Sequence, residues 1–81
     1  MASKNISEEP YEALGNAIIL QAVKDYRTAL KKVKRNPHNR MALDEALSIE
    51  KFFRGPLFSV ITSVDPEYLI GKLQDEIRQS K

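Results

Sequence analysis

The chain has no cysteine, so it has neither a disulfide nor a thiolate metal site. Its single histidine, His38, cannot assemble a zinc centre alone, and a Cys/His pair or a Ser-His-Asp arrangement has too few candidates to form. The three glycines, Gly15, Gly55 and Gly71, stand isolated, which excludes a glycine-rich phosphate loop. No apolar run exceeds the four residues from Ala17 to Leu20, far short of a transmembrane helix or the core of a secretory signal. The expectation is an intracellular, cytoplasmic chain without metal or cofactor, acting as something other than an enzyme.

What is present suits one small folded domain. The 81 residues are 42% hydrophobic and 30% charged, ordinary values for a packed chain. A domain of this size buries only about 60–65% of its unfolded surface. With no staples, its core must come from packing or from further copies of the chain, and a homo-oligomer is expected.

The net charge of +2 conceals an uneven distribution. Residues 1–23 carry Lys4 against Glu8, Glu9 and Glu12. Residues 24–40 carry Lys24, Arg27, Lys31, Lys32, Lys34, Arg35 and Arg40 against Asp25 alone, a net +6. Such a segment attracts anions: a nucleotide, a nucleic acid or an acidic protein surface. The plain alternative is a lysine-rich solvated helix face.

The pattern is helical throughout, and the fold class expected is all-α: a small bundle over residues 1–81, with 1–6 frayed. Ser7-Glu8-Glu9-Pro10 supplies a capping residue, acids at the positive helix end and a proline in the first turn. From there a long helix runs to Asn36, and only Gly15-Asn16 offers a point where it could kink or restart. Tyr11, Leu14, Ile18, Ile19, Ala22, Val23, Tyr26, Ala29, Leu30 and Val33 share one broad side of it. Asn36-Pro37-His38-Asn39 is a turn, after which an antiparallel helix runs to about Phe53 with Ala42, Ala46, Ile49 and Phe53 inward, a stripe widened by Leu43 and Leu47, and Gly55-Pro56 stops it. Residues 57–64 are β-branched enough to suggest a strand, but no second strand exists to pair with. A short helix from Pro56 to about Ser63 is therefore expected. Asp65-Pro66-Glu67 then opens a last helix with Leu69, Ile70, Leu73 and Ile77 on a narrow stripe.

Several residues break this pattern. Asp25 falls on the apolar side of the first helix, and Glu50 lies between Leu47 and Phe53 on the second, with Arg54 one turn on. A buried carboxylate needs a partner or it neutralises. Either the two acids belong to a structural network with Tyr26, Arg27 or Arg54, or Gln21, Asp25, Tyr26 and Glu50 line a polar pocket that hydrogen-bonds a ligand. Leu20 has the opposite problem: it projects into the basic face. Phe52 is expected to pack under Leu57-Phe58, since Phe53 takes the stripe.

On the basic face, Lys24, Arg27, Lys31, Lys34 and Arg35 share one helix side, so their fields add. Arg27, with a planar fork that matches phosphate oxygens, is the expected anchor for an anionic ligand. The helix is longer than a recognition helix, and no aromatic–basic interleaving suited to stacking bases is present.

The strings Gln21-Ala22-Val23-Lys24-Asp25-Tyr26-Arg27, Asn36-Pro37, Ile49-Glu50-Lys51-Phe52-Phe53-Arg54 and Asp65 with Glu67-Tyr68-Leu69-Ile70 resemble a family of small helical proteins encoded by prophages and conjugative elements of Gram-positive bacteria. The resemblance covers about residues 17–78. Gly55-Pro56-Leu57 stands where those relatives carry a serine and an acidic-aromatic pair. It implies a mobile-element origin and a role by binding: an anti-defence factor that sequesters a nucleotide signal or inhibits a host defence protein. A nucleic-acid-binding accessory protein and a structural helical adaptor are the other readings.

Overall fold

The computed structural model describes the backbone of residues 9–80 and the side chains of residues 14–80. Ser7 as a cap, the start at residues 1–6 and the Tyr11 side chain lie outside these. Among the described residues four helices follow one another: α1 (Glu9–Arg35), α2 (Arg40–Phe53), α3 (Pro56–Ile61) and α4 (Pro66–Gln79). No strand occurs among the described residues, as the all-α expectation required. The short helix expected from Pro56 to about Ser63 forms but ends at Ile61, because Thr62 turns to extended backbone.

The starts of α2 and α4 are set by side chains. Asn39 Oδ1 accepts from the Ala42 N–H at 3.1 Å, and an Asp65 carboxylate oxygen accepts from the Glu67 N–H at 3.1 Å. Proline occupies the first turn of α3 and of α4.

The first helix is continuous through Gly15-Asn16 and does not restart there. The glycine serves packing instead. A Cβ on Gly15 would sit 2.9 Å from Ile61 Cγ2, so the missing side chain lets α3 lie close against α1. This contact has a geometric cause. α1 has 27 residues and spans about 40 Å, whereas α2 has 14 and spans about 21 Å. The antiparallel partner runs out halfway, and α3 covers part of the remainder.

The core joins Tyr26 and Ala29 of α1, Ala46 and Phe53 of α2, Phe58 of α3 and Ile70 and Leu73 of α4. Ala29, Ala42 and Ala46 are buried at the α1–α2 contact, where small side chains permit close backbones. Phe53 is the hub: its ring meets Tyr26 edge-on at 5.7 Å and Phe58 at 5.4 Å between centroids. Phe52 packs on Phe58 at 6.1 Å, as expected, and remains half-buried.

The broad apolar side of α1 is narrower in fact than in pattern. Leu14 is 62% exposed and Ile18 38%. Ile18 borders the open space between α1 and α2, and on α2 Leu43 and Leu47, expected to widen the inward stripe, are exposed as well.

Candidate functional site

Two of the four residues grouped as a polar pocket form the structural network. The Tyr26 hydroxyl donates to Glu50 Oε2 at 2.5 Å, and Gln74 Nε2 donates to the Tyr26 oxygen at 3.1 Å and to Glu50 Oε2 at 3.5 Å. Arg54 Nη1 reaches Glu50 Oε1 at 3.3 Å, and its Nε and Nη2 donate to the two Glu67 oxygens at 2.5 and 3.1 Å. The chain of bonds ties α1, α2 and α4 together. Burial, and then the carboxylate acceptor at Glu50, push the Tyr26 hydroxyl far above the usual phenol range. The hydrogen bond from Arg54 holds the Glu67 carboxyl below the usual range.

Gln21 and Asp25 lie elsewhere, and this corrects the four-residue pocket. Asp25 is half-buried and accepts one hydrogen bond, from Gln21 Nε2 at 2.9 Å, one turn back on its own helix. It does not enter the Glu50 network among the described residues. The reason is angular: Asp25 and Tyr26 are successive residues, so they point about 100° apart around α1. Asp25 instead lines an open groove of about 480 Å³ between α1 and α2, with Ala17, Ile18, Ala22, Ile49 and Phe52 as apolar walls. Gln21 and Ser48 are the other polar lining residues.

The basic face is also divided. Arg27 donates from Nε and Nη2 to Glu76 Oε1 at 3.3 and 3.1 Å. Lys34 Nζ donates to the carbonyls of Ile77 at 2.7 Å, Arg78 at 3.2 Å and Ser80. A cation thereby caps the negative end of α4. These two residues are docked on α4 and do not stand free in one array with the others. Lys24, Lys31 and Arg35 are exposed and form no ion pair among the described residues.

Beside Arg27, a trough of about 600 Å³ runs between α1 and α4. Its lining includes Arg27, Val64, Tyr68, Lys72, Asp75 and Glu76. Arg27 and Glu76 are 43% and 52% exposed, so solvent reaches their ion pair. Tyr68 is 63% exposed. Tyr68, Lys72 and Gln74 went unremarked as site residues in the pattern. A cue existed for Tyr68, an aromatic that falls off the Leu69–Ile70–Leu73–Ile77 stripe.

Among the described residues no three of His, Asp and Glu gather as a metal site requires, and no helix is long and apolar enough to cross a membrane. No protein family, curated protein or solved structure matches this chain.

Proposed function

We propose that the protein is a non-enzymatic binding protein of a mobile genetic element, an anti-defence factor that holds a phosphate-bearing nucleotide in the trough between α1 and α4. The observation that carries this reading is the juxtaposition of Arg27, Lys72 and an exposed Tyr68 in one concavity. A guanidinium fork and an ammonium suit phosphate oxygens, and a phenol ring offers a face to a planar base. Lys24 and Lys31 supply further attraction along the same helix. The ligand must displace Glu76 from Arg27, which costs little, since an exposed pair is worth about 0–1 kcal/mol. The resemblance to prophage and conjugative-element proteins supports the biological setting.

A thermal-shift screen against cyclic nucleotides, ADP-ribose-type nucleotides and short DNA tests it. A nucleotide ligand raises the melting temperature with modest salt dependence, through preferential binding to the folded state. Charge reversal of Arg27 and Lys31 together abolishes the shift while helix content stays intact. Binding of DNA with a steep salt slope would replace this reading with the nucleic-acid one, which the exposed Lys24, Lys31 and Arg35 favour. No shift with any probe would leave inhibition of a host protein, or the structural adaptor, in its place.

A further inference from the structure

The α1–α2 groove and Leu20 are both unspent. The groove exposes Ile18 and half-buried Ile49 and Phe52, and among the described residues its one charged side chain is Asp25, whose single hydrogen bond comes from a neutral amide. A carboxylate has room for several more donors. On a different side of the same helix, Leu20 is 67% exposed. Lys24 stands one turn beyond it on the same face, exposed and without an ion pair among the described residues. One surface is therefore an apolar recess with a negative end, and the other an apolar knob with a positive neighbour.

We infer that the groove receives a second copy of this chain, with Leu20 of one copy seated over Ile18, Ala22 and Phe52 of the next, and Lys24 paired with Asp25. The spacing agrees. Leu20 to Lys24 is a rise of about 6 Å along α1, and the step from midway between Ile18 and Ala22 to Asp25 is about 7.5 Å, a difference that a lysine side chain spans easily. The two α1 helices run parallel in this arrangement, so the incoming helix lies antiparallel to α2, as an added member of the bundle would. Knob and groove lie on different sides of α1, so one copy cannot present both to the same neighbour. The contact is heterologous and builds a ring or an open row. Arg27 and Lys31 continue the stripe of Leu20 and Lys24 along α1, so assembly is read by sedimentation without nucleotide, and its failure is distinguishable from a failure of nucleotide binding.

The test is sedimentation of the full chain with two variants. The wild type assembles beyond a monomer at about 100 µM, and Leu20→Asp and Asp25→Lys each weaken assembly by about tenfold or more. Leu20→Asp retains its groove and Asp25→Lys retains its knob. Mixing the two therefore restores a one-to-one pair, which neither forms alone. Circular dichroism of each variant confirms wild-type helix content. As a control on the charge contact, the double variant Asp25→Lys with Lys24→Asp regains self-assembly. A monomeric wild type at that concentration overturns the proposal, as does a mixture of folded variants that stays monomeric. A wild-type dimer unchanged by Leu20→Asp overturns it equally.

Discussion

Glu50 and Asp25 break the apolar pattern in the same way, yet the molecule treats them oppositely. Glu50 lies where α1, α2 and α4 converge, and its two oxygens are met by Tyr26, Gln74 and Arg54. Asp25 lies on the side of α1 that α4 leaves open, with one neutral donor from its own helix. The difference is a third helix. Where α4 packs across the hairpin, a polar residue is enclosed and must be satisfied; where it does not, the residue keeps its water and remains available. On the closed side the polar groups hold three helices together, and on the open side Asp25 keeps unused acceptor capacity.

The largest effect expected belongs to the hub of the closed side. Phe53→Ala should cost about 3–5 kcal/mol by urea denaturation, which removes much of the stability of a domain this small. The same truncation at Phe52, half-buried at the edge of the groove, should cost clearly less; equal losses would erase the distinction between the two sides.

The two acids give the most direct comparison. Glu50→Ala leaves the buried Tyr26 hydroxyl without its acceptor and should cost about 1–3 kcal/mol. Asp25→Ala should change stability by less than about 0.5 kcal/mol, as at an ordinary surface site. Similar values at both positions would show that Asp25 is also enclosed.

Alkaline titration sharpens the same contrast. Tyr26 has its pKa raised in the folded state by burial and then by Glu50. Its favourable contribution is complete below the unfolded phenol value of about 10 and is lost as pH rises from there towards the folded value. Stability should fall with pH above about 10 in the wild type, and less steeply in Tyr26→Phe. Parallel curves for the two proteins would mean the hydroxyl is not held by the network.

Two glycines supply the smallest and most discriminating pair. Gly71 has open space around a new Cβ, so Gly71→Ala should stabilise α4 by about 0.5–1 kcal/mol. Gly15→Ala gains the same helix propensity but drives its methyl against Ile61. Its melting temperature should fall below that of Gly71→Ala and of the wild type. A rise like that at Gly71 would mean that α3 does not pack closely on α1.

Helix positions could be read from the chain because their causes are local. Asn39 and Asp65 cap, Pro56 and Pro66 open first turns, and Gly55 separates α2 from α3. The stripe on α4 was also sufficient, because Ile70, Leu73 and Ile77 are all buried. The Glu50–Arg54 contact was visible as a one-turn spacing on one helix. Periodicity does not reveal which flank of a helix a third element will cover, since that depends on contacts far apart in sequence. Hence Leu14 and Ile18 fell on the apolar side of α1 yet stay exposed, and Gln21 and Asp25 part from Tyr26 and Glu50. The partners of Arg27, Lys34 and Tyr26 on α4 lie more than forty residues away in the chain. Only the packing of α4 across the α1–α2 hairpin decided that two of the basic residues would be engaged and that one seam of the bundle would remain open.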